Sequence, residues 1–237
     1  MSNLGEQFRD DDRGMTLVEL LTGLGLGSVV LAAALTIFLN GMSGAATVQD
    51  RADASQRARL GFDRVTALVG AQVCNGVTNA GTPVVAADPN AVSFTANTDD
   101  ADATPTGYKL RYNAAADELW EDSYPLVGAE NAAGYRTWGT TIAASRQLLD
   151  NAVPDGSTPV FRYYGVSNST TGNFVELDPD GSGLTADERS RVLRIDLSLK
   201  ILPTRTSSLE ARGTLMQTES YVTSNVVAGS LDQGPRC

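Results

Sequence analysis

One acidic residue, Glu19, stands at the start of a long uncharged segment and has the clearest potential for chemistry in this sequence. The twenty residues Leu20–Leu39 carry no charge, and about 20 apolar residues span a bilayer as a helix. An ionised carboxylate in the hydrocarbon layer costs roughly 2.5–3.5 kcal/mol, so we expect Glu19 to have a cationic partner. If the bond after Gly14 is cut, Met15 gains an amino terminus that is mostly positive at neutral pH. In a packed array of such helices, this amine could pair with Glu19 of the next subunit.

Two simpler explanations of this segment are a cleaved secretory signal and a plain membrane anchor. A secretory signal has a basic start and an apolar core of about 7–15 residues. Here the leader Met1–Gly14 holds two arginines against four acids, and the apolar run is longer. A plain anchor fits the length but gives no reason for Glu19.

The segment Gly14–Glu19, whose sequence is GMTLVE, resembles the class III signal of type IV pilins and type II secretion pseudopilins. The resemblance implies that prepilin peptidase cleaves between Gly14 and Met15 and methylates the amino group of Met15. It also implies that Glu19 takes part in assembly and that the partners are other pilins, through the N-terminal helix. Met15 replaces the more usual phenylalanine, and the leader is less basic than those of the family.

Composition limits the other functions open to the chain. The formal net charge is −10, which argues against a general polyanion-binding surface. Histidine is absent, and this excludes Ser-His-Asp and Cys-His nucleophiles and every His-based metal site. We therefore expect no enzyme, no catalytic residue, no cofactor and no metal.

The two cysteines, Cys74 and Cys237, suit an exported chain, and an even number allows a disulfide. A bridge between them would tie the last residue to the end of the long helix. In the chain-entropy model it would stabilise the fold by roughly 4–5 kcal/mol. The alternative is two unpaired thiols.

The helical pattern continues beyond the apolar run, which predicts one helix from Met15 to about Ala71. Small or apolar residues recur at helical spacing, at Val48, Ala52, Ser55, Phe62, Val65 and Val69. Charged residues are expected mostly on the other faces, at Asp50, Arg51, Asp53, Arg57, Arg59, Asp63 and Arg64. Residues 40–44 could form a flexible joint. Gly23 with Gly27 could allow close helix approach or let the helix loosen as it leaves the bilayer. An equally good explanation is that glycine is simply frequent in membrane helices.

After Cys74 the pattern predicts a β-rich head. Predicted strands are Pro83–Ala86, Ala91–Ala96, Tyr108–Tyr112, Glu118–Asp122, Pro159–Tyr164, Arg191–Leu202 and Gly213–Val222. Arg191–Leu202 alternates between polar and apolar residues, as a half-buried antiparallel strand does. Residues Thr140–Asn151 are expected to form either a short helix or a strand edge.

The predicted fold is therefore α+β, with a long N-terminal helix packed on a predominantly antiparallel head, as in pilins. The predicted organisation is a leader at 1–14, a transmembrane or filament-core helix at 15–39, an amphipathic continuation at 40–74 and the head at 75–237. The strand order of the head resembles PilW-like minor pilins and J-type pseudopilins. Thr36 stands where many major pilins carry proline, which favours a minor pilin.

Three clusters in the head could carry further chemistry. Asp178, Asp180 and Ser182 match the first half of an EF-hand calcium loop, but the second half fails, and an Asp-Gly-rich turn explains the same residues. An arginine cluster could bind DNA, but a solvated strand face or pairing with Asp187, Glu188 and Asp196 explains it better; its members are Arg162, Arg189, Arg191 and Arg194. The acid pairs Asp99-Asp100 and Glu121-Asp122 are expected in solvated turns rather than in acid–base roles.

Together these features favour a minor pilin or pseudopilin of a type IV pilus, a competence machine or a type II secretion system, with a possible priming role at the tip. It would be anchored once in the cytoplasmic membrane with an extracytoplasmic head, and then enter a surface filament or periplasmic pseudopilus. The alternatives are an adhesin or DNA-binding tip subunit on the same anchor, with nucleic acid as a partner, and a surface protein that never assembles.

Overall fold

The structure is a computed structural model that describes residues 16–73, 83–98, 105–129, 136–167, 174–177 and 181–204 and the backbone of 214–221. The chain divides into two compact units, 1–48 and 49–237. The first unit holds the start of the long helix α1 (Leu17–Gly70). The second holds the rest of that helix and the β-rich head.

Helix α1 contains no proline and begins at a capping residue. The side chain of Thr16 accepts a hydrogen bond from the backbone N–H of Glu19 at 3.3 Å, which satisfies one of the free amides at the helix start. Residues 40–44 are helical. After Gly70 the chain pairs with the head, because Gln72 forms a β-bridge with Ala96.

The head contains twelve strands among the described residues. They are β1 (Val84–Asp88), β2 (Ala91–Ala96), β3 (Thr106–Asn113), β4 (Glu118–Tyr124), β5 (Leu126–Val127), β6 (Thr137–Trp138), β7 (Ala144–Leu149), β8 (Ala152–Val153), β9 (Phe161–Val166), β10 (Phe174–Glu176), β11 (Val192–Ile201) and β12 (Thr214–Tyr221). A short helix, α2 (Ala186–Arg189), precedes β11.

The strands form two antiparallel sheets and a small hairpin. The first sheet has the order β1-β2-β3-β4-β7, and the second has the order β10-β9-β11-β12, with β8 also paired to β11. Strands β5 and β6 pair only with each other, and Trp138 of β6 stacks on Tyr124 of β4 with the ring centroids 5.5 Å apart.

The turn between β1 and β2 connects the two sheets. The hydroxyl of Tyr163 in β9 lies 2.7 Å from the carbonyl oxygen of Asp88 and 3.0 Å from that of Ala91. The backbone N–H of Phe161 donates to the carbonyl oxygen of Pro89 at 3.0 Å. Carbonyl groups of this turn thereby accept hydrogen bonds from the second sheet.

One hydrophobic core joins the second half of α1 to both sheets. The helix contributes a buried stripe of Ala54, Ala58, Gly61, Phe62, Val65, Leu68 and Val69. The sheets contribute Val92, Phe94, Leu110, Leu119, Leu149, Phe161, Tyr163, Ile195, Leu197, Leu199 and Ile201, among others. This arrangement confirms the predicted α+β class with a long helix packed on antiparallel sheets.

The predicted elements agree with the observed ones where the periodicity was clear. All seven predicted strands overlap an observed strand, and Thr140–Asn151 contains the strand β7 rather than a helix. The sequence pattern did not predict the short strands β5, β6, β8 and β10, or the single turn of α2. Elements of two to four residues are too short to show a period.

Two expectations about charged residues were wrong. Asp50 was expected mostly on the solvent face of the helix, but it is 4 % exposed and bonds to the backbone N–H and the hydroxyl of Thr204, at 3.1 and 3.0 Å. Val48 was expected in the apolar stripe, but it is 67 % exposed. The carboxylate of Asp50 is buried because Thr204 supplies two hydrogen-bond donors to it. Sequence periodicity carries no information about such a partner.

The second wrong expectation concerns Glu121 and Asp122, which lie in strand β4 and not in a solvated turn. Their exposures are 6 % and 1 %. Glu121 accepts two hydrogen bonds from Arg64 of α1, at 2.9 and 2.6 Å, and Asp122 accepts one from Arg111 of β3 at 2.6 Å. The hydrogen bonds from Arg64 to Glu121 raise the pKa of that guanidinium above its usual value. Paired arginines compensate the burial of both acids.

Tyr112 in β3 leads to a prediction about alkaline stability. Burial, helped by the nearby charge of Asp117 and a 3.2 Å hydrogen bond to it, raises the pKa of Tyr112 to about 12. The unfolded value is about 10, so the folded state binds this proton more tightly. The resulting stability is complete below pH ~10 and is lost as the pH rises from about 10 to 12.

Between pH ~10 and 12, the free energy of unfolding of the wild type should therefore fall by up to about 2 kcal/mol more than that of Tyr112→Phe. Urea unfolding at several pH values measures this difference. Absorbance titration should show a phenol that titrates at about pH 12 in the wild type and is absent from Tyr112→Phe. Identical alkaline profiles for the two proteins would contradict the assignment.

Candidate functional site

The candidate site lies in the first turns of α1, around Glu19. Thr16 starts the helix there, because its carbonyl oxygen accepts the N–H of Leu20 at 3.1 Å and its hydroxyl accepts that of Glu19. Glu19 itself is exposed and is the only charged residue between Thr16 and Gln49. The predicted processing residues Gly14 and Met15 lie outside the described residues.

An apolar groove runs along the helix from Glu19. It has a volume of about 550 Å³ and is lined by Glu19, Leu20, Gly23, Leu24, Gly27, Ser28 and Leu31. No atom lies within 4 Å of the positions that a Cβ would take at Gly23 or Gly27. The missing side chains therefore leave a notch in which another helix backbone can approach closely.

The hydroxyl groups of this part of the helix bond within the helix. Thr22 donates to the carbonyl oxygen of Val18 at 3.0 Å, Ser28 to that of Gly25 at 2.7 Å, and Thr36 to that of Ala32 at 2.8 Å. Satisfied hydroxyls are compatible with a hydrocarbon environment. The helix is long and apolar enough to cross a membrane by length and composition, and Glu19 is the one charged side chain between Thr16 and Gln49.

The head residues considered for calcium do not form a described site. Asp178 and Asp180 lie outside the described residues, whereas Ser182 is described. The acids that follow have other roles. Glu188 forms a capping box with Thr185 at the start of α2, and Asp187 pairs with Arg191 at 2.9 Å. The residues that the structure describes contain no cluster of three or more metal-ligating side chains.

The arginine cluster is largely engaged in contacts within the head. Arg191 pairs with Asp187, and Arg194 pairs with Asp196 at 2.9 Å. Arg194 also lies over the ring of Tyr164, with its guanidinium carbon 4.2 Å from the centroid. Arg189 donates to the carbonyl oxygen of Leu184 at 3.1 Å. Pairing within the protein was one of the two preferred explanations of this cluster, and two of the expected acids, Asp187 and Asp196, provide it.

The remaining site predictions fall outside the described part of the chain. Cys74, Cys237 and the acid pair Asp99-Asp100 are not described, so the proposed disulfide stays a prediction. Sequence reasoning missed the ion pairs of Arg64 and Arg111. The signal that could have found them is the predicted strand Glu118–Asp122, because Glu121 and Asp122 in a strand lie on opposite faces of its sheet and not in a turn.

Comparison with known proteins connects the N-terminal geometry to a family of processing signals. Residues 9–35 match the family model described as the prokaryotic N-terminal methylation motif. None of the curated proteins compared matches the chain. The matched segment contains Gly14, Met15 and Glu19 and extends along the exposed apolar helix. The chain thus carries the prepilin signal of type IV pilin-like proteins, which implies processing by prepilin peptidase, a single membrane anchor and assembly with other pilins.

Proposed function

We propose that this chain is a minor pilin or pseudopilin, a structural subunit of a type IV pilus or a related secretion or DNA-uptake filament, and not an enzyme. The observation that carries the proposal is the prepilin signal at residues 9–35, with Glu19 as the single charge on an exposed apolar helix. The precursor inserts with its leader in the cytoplasm. Prepilin peptidase then cuts after Gly14 and methylates Met15.

Electrostatics gives Glu19 its role in this proposal. The carboxylate lies at the start of a groove that ends in apolar side chains, where a lone charge is costly. Cleavage places a positive amine at Met15, four residues before Glu19. When helices pack side by side, the amine of one subunit neutralises the carboxylate of its neighbour and sets their axial offset. The open faces of Gly23 and Gly27 permit the close approach that this pairing needs.

The minor role and the place of this subunit in the filament are finer parts of the proposal. Thr36 replaces the proline that the resemblance leads one to expect in major pilins. Threonine has the backbone N–H that proline lacks, and the helix continues through this position. As a minor subunit, the protein would prime assembly at the tip, with its head on the exterior or in the periplasm. The paired state of Arg191 and Arg194 supports a structural role over DNA capture.

Mass spectrometry of the protein from its own cells tests the processing step. We expect the mature chain to begin at Met15 and to carry one methyl group on that amine. An assembled form that still begins at Met1 would rule out the amine–carboxylate pairing.

Substitution of Glu19 tests the assembly step. We expect Glu19→Leu and Glu19→Gln each to reduce incorporation into filaments by about tenfold or more, because the neighbour's amine loses its partner in an apolar environment. Glutamine can still cap the helix start, so loss in Glu19→Gln separates charge from capping. The readout is the ratio of this protein in sheared filaments to that in membranes.

Thr36→Leu serves as the matched control, since it changes an exposed polar residue to leucine on the same helix. Its incorporation should equal that of the wild type, and all variants should insert in the membrane. Normal filament incorporation of both Glu19 variants would refute the proposed pairing. A singly anchored protein that never assembles would be absent from filaments even as the wild type.

A further inference from the structure

Three polar residues follow one edge of α1 where it packs on the head, at intervals of seven. Asp50, Arg57 and Arg64 are almost two helical turns apart and therefore share one edge of the helix. Each bonds to a different part of the head. Asp50 accepts from Thr204 after β11, Arg57 pairs with Asp150 after β7, and Arg64 forms a two-point contact with Glu121 of β4. We call these three contacts the polar edge.

The buried stripe beside the polar edge selects the axial position of the helix by side-chain size alone. A shift of one turn moves the helix by about 5.4 Å. A shift that brings Ala58 to the position of Ala54 also brings Phe62 to the position of Ala58. Apolar contact is not directional, so the stripe supplies no partner that is specific to one register.

Gly61 adds a steric element to the same contact. A Cβ at Gly61 would lie 2.4 Å from Cδ2 and 2.7 Å from Cγ of Leu149, so the leucine side chain occupies the space left by the glycine. After a one-turn shift, a residue with a side chain would face Leu149. The glycine therefore favours the observed position of the helix.

Burial makes the polar edge the stronger selector. Asp50 is 4 % exposed and Glu121 is 6 % exposed, and a shift of one turn would remove the donors from both carboxylates. A buried acid without its partner is strongly destabilising. The Arg57–Asp150 pair is more exposed, with side-chain exposures of 30 % and 44 %, and contributes less.

We propose that Asp50, Arg57 and Arg64, together with the Gly61–Leu149 contact, form a register lock that fixes the axial position of the helix segment Gln49–Gly70 on the head. The apolar stripe supplies adhesion, and the polar edge selects one register among positions one turn apart. Buried polar groups have this role in coiled coils, where they fix register. The inference rests on the head contacts alone and is independent of the proposed function.

The test is NMR spectroscopy of the full chain in detergent micelles, with labelled leucine methyl groups. The wild type should give one set of Leu149 methyl signals, with a contact to the α-protons of Gly61. The triple variant Asp50→Asn, Arg57→Gln and Arg64→Gln should remain folded but show a second set of Leu149 signals. This set should hold about one-tenth of the population or more, which corresponds to a free-energy difference between the two registers below about 1.4 kcal/mol.

A matched control removes the same charges from exposed positions of the same helix. The control variant carries Arg51→Gln, Asp53→Asn and Arg59→Gln, which also neutralise one acid and two arginines. It should keep the single set of Leu149 signals. The methyl signals of Leu119 and Leu197, both in the core, report whether the core is intact. One set of Leu149 signals in the folded triple variant, with the Gly61 contact retained, would overturn the proposal.

If the triple variant does not fold, the variant Arg57→Gln, Arg64→Gln and Glu121→Gln decides the question, since it leaves no buried acid without its cation. The lock predicts a second set of Leu149 signals in this fallback variant. These signals should disappear in Arg57→Gln combined with the charge exchange Arg64→Glu and Glu121→Arg, which restores an ion pair at the β4 contact. A single set of signals in the fallback variant, or a second set that persists after the exchange, would refute the lock.

Discussion

Replacement of Gly165 by alanine is expected to destabilise the head by about 3 kcal/mol or more and to lower its Tm by roughly 6–12 °C. Gly165 lies in β9 between β10 and β11, opposite Val192 and beside an irregularity in the pairing between Val192 and Arg194. A Cβ at this position would lie 2.0 Å from the carbonyl oxygen of Arg191 and 2.8 Å from its carbonyl carbon. Both atoms belong to the backbone, so the sheet itself must move.

Thermal unfolding of the full chain in micelles, followed by circular dichroism, measures this effect. Gly70→Ala is the matched control, because no atom lies within 4 Å of its added methyl group. Gly70 is helical, so the control should lose no stability and could gain up to about 1 kcal/mol. An unchanged Tm in Gly165→Ala would show that β9 and β11 do not approach as closely as described.

Replacement of Arg111 by methionine is expected to cost about 3–5 kcal/mol, because it leaves a buried acid without its cation. Asp122 is 1 % exposed and accepts from Nε of Arg111 at 2.6 Å, with Ser145 as a second donor. The guanidinium also lies 5.3 Å from the ring centroid of Trp120. Loss of this cation–π contact should change tryptophan fluorescence in the folded state.

The double variant Arg111→Met and Asp122→Leu separates the charge effect from the loss of packing. Removing both charged groups should recover most of the lost stability, since apolar replacement of a buried ion pair is often neutral. Urea unfolding at neutral pH measures the three proteins. A single variant that is as stable as the wild type would mean that Asp122 is accessible to water.

Local patterns in the sequence predicted most of the long elements. Arg191–Leu202 alternates as a strand does, and β11 is observed from Val192 to Ile201. The expected half-burial was wrong, because Asp196 and Ser198 on its polar face are also buried. The helix was expected from Met15 to about Ala71 and is observed from Leu17 to Gly70. These elements were predictable because their periods persist over many residues. The short strands and the turn of α2 depend on neighbours that are distant in the chain.

The charged residues of the head show where sequence reasoning failed. Glu121 and Asp122 look like a solvated pair, because acids are seldom buried without partners. Their partners, Arg64 and Arg111, are 57 and 11 residues away. Asp50 has its donor 154 residues away. No local period indicates such pairs, so the polar edge of α1 was beyond prediction.

The sequence alone determined the functional segment: a glycine, a single acid and a long uncharged run are contiguous, and their physical meaning depends on charge and length only. The tertiary structure decided which charges are buried and which residues hold the helix on the head. Helix and strand periods arise from neighbours along the chain, whereas burial of an ion pair requires two distant segments to meet. That difference explains why the processing signal could be read directly and the register lock could not.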